Sequence, residues 1–539
     1  MDKLIYKEKY PGTDDHMSDS NIGARRGKNI KNHLFMVYGI INSVIQEEKS
    51  CIDIQIYDIV KAFDTLWLED CMNDMFDSLP HEQRDDKLAL VYEANRNNLV
   101  AVNTAVGLTD RLNISKVVMQ GGVFGSLQCA NSIDTIGKKC FNTGEHLFTY
   151  KNIVKVMPLS MVDDILAVAR CSKESVEVNT YINAQIELKK LRFHTPNKSG
   201  KSKCNVMHIG KKNSLCPTLQ VHGTVMGRVT EDTYLGDIIS HDGKNTKNVK
   251  SRIGKGLGIV TDIIHFLGKV SLGKHYFKIG LLLRESMFLN GILTNAEVWY
   301  GITKAEIDQL EALDMDLLRQ ILNTPFSVPS EGVYLELGCL NIGTILKARR
   351  INYLHTLLKQ DPKSMLYNFF YTQWKYSCKN DWTDQVKKDL TDFEMSTDLD
   401  AIRSMSTNRF KKIVRTKAKE FALYTFLEQQ ASHSKLDNIV YTDLKLQEYL
   451  KLEQMTAAEA QTLFSFRTRM ANFSENYRGP NGPQMCPLCK LHFDSQPLSF
   501  QCPQVIQNVK IEGKYTNIFC RNPDIKLVKT LVKISKYRD

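Results

Sequence analysis

The sequence predicts a mixed α+β unit over residues 20–240, followed by a mostly helical region from about residue 245. Three observations carry this. Cys51–Asp58 alternates, with Ile52, Ile54 and Ile56 on one face and Asp53, Gln55 and Tyr57 on the other, as a half-buried strand does. Leu159–Ala169 is apolar on both sides of Asp163 and Asp164, as a hairpin with an acidic tip would be. Beyond residue 245 apolar residues recur three and four apart (Ile279, Leu282, Leu283, Met287), and strand signals nearly vanish.

The elements follow in order. Residues 1–20 are polar and read as a lead-in. Ser20–Gln46 has no acid, and Arg25, Arg26, Lys28 and Lys31 cluster at its start. Cations are disfavoured at the positive end of a helix dipole, so this cluster is either a solvated helix start or a phosphate contact. A helical pattern begins near Thr65 (Leu66, Leu68, Cys71, Met72, Met75) and another covers 85–100. Residues 100–118 read as a hairpin-like pair, and Gln120–Ser126 opens a helix toward Cys140. An amphipathic helix spans 174–192, and strands at Cys204–Ile209 and Thr218–Val221 lead to Tyr234–Ile239.

Composition sets limits. The chain has 539 residues, 42% hydrophobic and 24% charged, enough to bury several cores and too long for one ordinary domain. The formal charge of +11 suits a polyanionic partner. Thirteen scattered cysteines fit reduced thiols rather than a secreted disulfide framework. The N-terminus lacks an apolar signal segment, and no stretch reaches the roughly 18 apolar residues a membrane span requires. The expectation is an intracellular protein of nucleus or cytoplasm, with no membrane partner.

Two acidic positions stand out. Asp58 closes the Cys51–Asp58 strand just before Lys61-Ala62-Phe63-Asp64, and Asp163-Asp164 sits between apolar flanks. Burying an ionised carboxylate costs several kcal/mol unless it is paired or holds a metal, whereas a hairpin tip facing water escapes that cost. One acid at a strand end and two at a hairpin tip can also converge on divalent cations. Hard oxygen ligands suit Mg²⁺, and two such ions stabilise attacking and leaving oxygens in phosphoryl transfer.

The order Tyr57-Asp58-Ile59-Val60-Lys61-Ala62-Phe63-Asp64, Gln120-Gly121-Gly122-Val123-Phe124-Gly125-Ser126, Met161-Val162-Asp163-Asp164 and Tyr234-Leu235-Gly236 resembles the reverse transcriptases of non-LTR retrotransposons. Asn21–Asn29 is similar to that family's segment joining fingers to palm. The resemblance implies a right-hand polymerase palm with partial fingers, then a helical thumb and a mostly α-helical C-terminal region. The boundaries it suggests are lead-in and partial fingers at 1–50, palm at 51–240, thumb at 241–330, helical region at 331–477 and a cysteine segment with basic tail at 478–539.

The implied activity is RNA-directed DNA synthesis, with an RNA template, a DNA primer and dNTPs as partners. Asp58, Asp163 and Asp164 would bind two Mg²⁺ ions. Phe63 would reject a 2′-hydroxyl by bulk or serve only as a core aromatic. Gln120 and Gly121 would shape the nucleotide pocket, with Lys201 or Lys203 near the leaving pyrophosphate. Arg25, Arg26 and Lys28 would contact template or primer, and Tyr234, Leu235 and Gly236 would support the primer end. Lys244, Lys247, Lys250, Arg252 and Lys255 are phosphate contacts or a solvated helix face.

This chain departs from the family at Gly125-Ser126, where Ser-Pro is usual, and at Met161-Val162, where an aromatic and Ala are common. Family members also carry finger strands, and commonly an endonuclease, upstream of the Arg25-Arg26 segment. The expectation is an N-terminally truncated copy that binds template–primer and extends it poorly. The alternative is a catalytically inactive nucleic-acid-binding remnant.

Cys486-Pro487-Leu488-Cys489 is the spacing of half a tetrahedral zinc site, with Cys502 and His492 as further candidate ligands. The family's knuckle usually has a histidine where this chain has Pro497, so the expectation is three inert thiols, with an occupied zinc site as the alternative. From Pro503 onward the tail carries eight Lys or Arg against three acids.

Overall fold

The computed structural model describes residues 7–9, 17–96, 98–114, 124–170, 172–197, 202–210, 217–477, 484–520 and 523–538. The chain forms two units. The first comprises Met1–Asn248, Val298–Gly301 and Thr356–Gln385; the second comprises Val249–Glu297, Ile302–His355 and Val386–Asp539.

In the first unit the elements that frame the site are α1 (Ile30–Asn42), β1 (Cys51–Asp58), α2 (Gly125–Thr143), β2 (Leu159–Met161), β3 (Asp164–Ala169), α3 (Ser172–Leu188), β4 (Asn205–Gly210), β5 (Gly227–Arg228), β6 (Glu231–Tyr234) and β7 (Asp237–Ser240). Five of the strands form one sheet in the order β5-β4-β1-β3-β2. β1 is central and antiparallel to both neighbours, with Ile56 opposite Asn205 on β4 and opposite Leu166 on β3. β4 and β5 run parallel.

Two helices cover one face of this sheet. α3 presents Val178, Ile182 and Ile186, and α2 presents Ile133 and Ile136, to Tyr57, Ile165, Ala167 and Val206. These helical positions lie three, four or eight apart, the spacing of a single helical stripe. α2 stops at Gly144, whose φ of +71° is open to glycine at no steric cost and whose N–H caps the Cys140 carbonyl.

This helix-covered face is the one expected to be polar on β1. Asp53 is 2% exposed, accepting from Ser175 Oγ at 2.5 Å and meeting His208 Nδ1 at 2.7 Å. Gln55 donates to the Ser175 carbonyl at 2.8 Å and accepts from Tyr57 Oη at 2.5 Å. Because α3 lies over this face, its polar groups satisfy one another rather than water.

Other expectations shift locally. The helix expected over 85–100 ends at Arg96, and Asn98–Val100 pairs with Leu112–Ile114. Tyr234–Ile239 is a hairpin, β6–β7, rather than one strand.

Two later segments return to the first unit's core. Phe35 on α1 meets Trp382 edge-on at 5.0 Å and Phe369 at 5.8 Å between ring centroids. Trp299 Nε1 donates to buried Asp237 at 2.8 Å, and Tyr300 Oη donates to the Phe35 carbonyl at 3.2 Å.

The second unit is helical in its described residues. α4 (Lys304–Leu322) and α7 (Ala457–Arg467) each begin with a capping box, Thr303 with Glu306 and Thr456 with Glu459. Between them lie α5 (Ser330–Leu337) and α6 (Thr407–Gln430), and α8 (Ile525–Arg538) ends the described chain. Three arginine–carboxylate pairs hold its interior: Arg284–Asp314, Arg350–Asp389 and Arg467–Glu336. No helix among the described residues is long and apolar enough to cross a membrane.

Candidate active site

The acidic positions meet through strand register. β1 and β3 pair so that Asp58 stands opposite Asp164, and β2 and β3 pair so that Met161 stands opposite Asp164. Val162 and Asp163 are therefore the two-residue tip of the β2–β3 hairpin. Asp58, Asp163 and Asp164 share one end of the sheet.

The hairpin tip is strained. Val162 has φ of +59°, a left-handed conformation in which a β-branched side chain is crowded. Such outliers cost on the order of 1–3 kcal/mol and persist where the surroundings enforce them. The enforcing contact is the segment before α1. Ile22 N–H donates to the Ser160 carbonyl at 3.1 Å, and Ser160 N–H donates to the Ser20 carbonyl at 2.9 Å. Gly23 lies so close that a Cβ there would stand 2.8 Å from Val162 N. The glycine is required by this approach rather than by a turn.

Burial and like charge act together at the tip. Burial, then the charges of Asp163 and Asp58, push the Asp164 carboxyl up to about 6. Burial also raises Asp163, with Asp58 adding to it. The balancing charge is Lys203, whose Nζ lies 3.0 Å from Asp58 Oδ2. His194 Nε2 approaches Asp58 Oδ1 at 3.6 Å, and the His194 N–H donates to the Asp58 carbonyl at 3.0 Å. The Asp58 N–H donates to Cys204 Sγ at 3.4 Å, which fixes the strand end. Of the two lysines left open by the sequence, Lys203 is the one seen at the acids. Lys201 lies outside the described residues, as do Gln120 and Gly121.

Phe63 is half-buried and packs against the same core cluster as Val162 and Tyr181. It follows Lys61, whose φ of +47° turns the chain sharply out of β1. Tyr234 is buried, its Oη 3.2 Å from His33 Nδ1. Burial raises the Tyr234 hydroxyl well above its ordinary value, and the Asp164 charge adds to this. Leu235 and Gly236 form the β6–β7 turn with φ of +49° and +84°. Beneath it Asp237 accepts from Tyr38 Oη at 3.1 Å and from Trp299 Nε1 at 2.8 Å.

The basic candidates divide. Arg25 Nη1 donates to the Ser18 carbonyl at 2.6 Å and the Asn21 carbonyl at 2.9 Å, and Lys28 meets Asp19 at 3.4 Å. Both brace their own loop; Arg26 is exposed. Lys244, Lys250 and Lys255 are exposed, whereas Lys247 pairs with Glu231 and Arg252 is buried, donating to the Thr294 carbonyl at 3.3 Å.

A second cluster lies in the second unit. The sulfurs of Cys486, Cys489 and Cys502 lie within 4.8 Å of one another, the one set of three or more Cys, His, Asp or Glu ligand atoms so gathered among the described residues. The three aspartates form a more open set. Cys486 Sγ and Cys502 Sγ are 3.9 Å apart. That is far beyond a disulfide and close to the about 3.8 Å expected of two sulfurs bound tetrahedrally at about 2.3 Å to one zinc. His492 Nε2 lies 3.5 Å from Cys489 Sγ but outside the gathered set. Burial raises the Cys489 thiol, yet the Leu491 N–H and the neighbouring thiols outweigh it and bring it down to about 7.

No protein-family model matches the chain, and no curated protein matches it in sequence. Solved structures with some likeness include apo telomerase from Candida tropicalis, at 12% identity and a TM-score of 0.34, covering 69% of this chain and 61% of that one. Telomerase from Candida tropicalis in complex with a TWJ fragment of telomeric RNA is similar at 11% identity and a TM-score of 0.32, covering 66% and 53%. The corresponding complex from Candida albicans is similar at 14% identity and a TM-score of 0.29, covering 67% and 52%. The chain thus spans between 52 and 61% of the length of these structures.

Proposed function

We propose that this chain is an RNA-directed DNA polymerase of the kind non-LTR retrotransposons encode, acting on an RNA template, a DNA primer and dNTPs. The observation that supports this best is the register that sets Asp58 opposite Asp164 beside the tip Asp163. Three carboxylates at one sheet end, with Lys203 the lysine that meets them among the described residues, fit divalent cations. Mg²⁺ bound there would supply charge stabilisation for in-line phosphoryl transfer.

The chain's own residues do the rest. Asp58, Asp163 and Asp164 would hold the cations on a sheet end that the Gly23 and Ser160 contacts brace. Phe63 walls the sugar and excludes a 2′-hydroxyl. The Leu235-Gly236 turn, held from below by Asp237, positions the primer end. Lys203, an exposed ammonium on a flexible stem beside Asp58, would supply positive charge for the triphosphate. Attack of the primer 3′-hydroxyl on the α-phosphate, its proton passing to solvent, would form the new phosphodiester as the bond to the β-phosphate breaks and pyrophosphate leaves.

Extension of oligo(dT) on poly(rA) with dTTP and Mg²⁺ tests the reading. Extension that Asp163→Asn reduces by at least about a thousandfold, on the order of 4 kcal/mol, supports it. Binding of template–primer without extension would support the inactive remnant, a reading favoured by the ion pair that already occupies Asp58.

The thiol cluster is the second part of the proposal: Cys486, Cys489 and Cys502 hold a zinc ion, which the sulfur spacing fits. Metal analysis of the purified full chain checks it. About one zinc per chain, lost in Cys486→Ser, is expected; none would leave three inert thiols.

A further inference from the structure

We infer that the outward face of α8 is a second nucleic-acid contact, a comb of lysines that grips a phosphate backbone without reading its sequence. Lys526, Lys529, Lys533 and Lys536 recur at i, i+3, i+7 and i+10, and all four are exposed. At about 100° per residue they fall within an arc of about 80°. The opposite side is the anchoring one: Leu527, Val528, Leu531 and Ile534 are each no more than 1% exposed.

The contrast with Arg538 on the same helix shows that the comb is not a loose tail. Arg538 is 6% exposed, pairs with Asp494 at 2.7 Å and lies over the Phe473 ring at 4.0 Å. Asn508 Nδ2 donates to Tyr537 Oη at 2.8 Å beside it. The helix is therefore fixed along its length and at its end. Among the described residues the four lysine side chains make no hydrogen bond or ion pair. Glu512, the acid that feels Lys526 and Lys533, is already bound to Lys510 at 2.9 Å. Asp524 spends its carboxylate on the Lys526 N–H.

Like charges three and four apart oppose one another on a helix. A linear polyanion removes that opposition. The comb spans about 15 Å, a length along which one nucleic-acid strand advances by about four phosphates. A uniform row of ammonium groups matches a uniform row of phosphates and offers no planar fork for base edges. A membrane is a poor fit, because the apolar side of the helix is already spent on the protein core. The inference rests on neither the aspartate site nor the zinc reading.

The test uses the full chain and a labelled 30-nucleotide oligo(U), with Kd measured by fluorescence anisotropy across a KCl series. Neutralising Lys526, Lys529, Lys533 and Lys536 to Gln is expected to lower the log Kd against log salt slope by about 3, since each single-strand phosphate contact contributes about 0.7. Four scattered exposed lysines, Lys155, Lys304, Lys359 and Lys379, changed to Gln remove equal charge and are expected to leave the slope nearly unchanged. The fourfold Lys→Arg variant of the comb is expected to bind as the parent does. Equal losses in both Gln variants, or an unchanged slope in the comb variant with its melting temperature intact, would overturn the inference. Poly-glutamate competing as strongly as oligo(U) would overturn it in favour of an acidic protein.

Discussion

Arg350 with Asp389 in the second unit and Asp164 with Asp58 and Asp163 in the first are two ways of treating partly or fully buried charge. Arg350 is matched bidentately, Nε to Oδ2 at 2.6 Å and Nη2 to Oδ1 at 3.0 Å. Arg284 meets Asp314 in the same manner at 2.6 and 2.5 Å. Those charges are neutralised within the chain, although buried Arg350 Nη1 makes no hydrogen bond among the described residues. At the β2–β3 tip, like charges are gathered instead, with exposed Lys203 the lysine facing them among the described residues. Matched buried charge is thus neutralised within the chain, whereas like charge gathered on a rigid frame is what a cation-binding site needs.

That comparison breaks most visibly at the matched end. Arg350→Met leaves Asp389 buried without a counter-charge and is expected to cost about 3–5 kcal/mol. Adding Asp389→Leu is expected to recover most of the loss, since well-packed apolar residues replace such pairs at little cost. Urea denaturation of the three proteins decides it; a mild single variant would show that the pair is solvated.

The next effect is a pH dependence in the first unit. Burial pushes the His33 imidazole down to about 3, so it stays neutral in the fold. The unfolded chain takes up that proton below about pH 6.5, whereas the folded chain does so only near 3. His33 therefore contributes stability above pH 6.5 that is lost as pH falls, at about 1.4 kcal/mol per pH unit between the two values. His33→Gln is expected to flatten the acid limb of the stability profile between pH 6 and 4. An identical slope in the variant would place the acid sensitivity elsewhere.

The smallest effect sharpens the unmatched end. Asp164→Asn removes one of the crowded charges. In EDTA at pH 7.5 it is expected to raise stability by about 1 kcal/mol after solvent screening, roughly 2 °C in melting temperature. A drop in melting temperature would mean that Asp164 has a matched structural role instead.

Much of this was legible because it is local. Asp58 ends a strand whose alternation is visible over eight residues, and Asp163-Asp164 interrupts an apolar run as a hairpin tip does. Lys203 could not be separated from Lys201, because the choice depends on how the chain enters β4. The strain at Val162 carries no sequence signal, since valine is an ordinary strand residue and its left-handed φ is imposed by neighbours. Asp53 and Gln55 looked solvated, because a period of two records alternation but not which faces a helix will cover.

The sequence by itself determined the strand and helix periods, the acidic positions at a strand end and a turn, the paired cysteines and the basic tail. These follow from side-chain spacing along a single element, which backbone geometry dictates. Only the tertiary structure decided that Val298–Gly301 and Thr356–Gln385 complete the first unit, that Cys502 joins Cys486 and Cys489, and which arginines are matched. Arg467 finds Glu336 131 residues away, and Trp299 finds Asp237 62 residues away. Such partners are selected by packing and desolvation across the whole chain, and neither acts through local spacing.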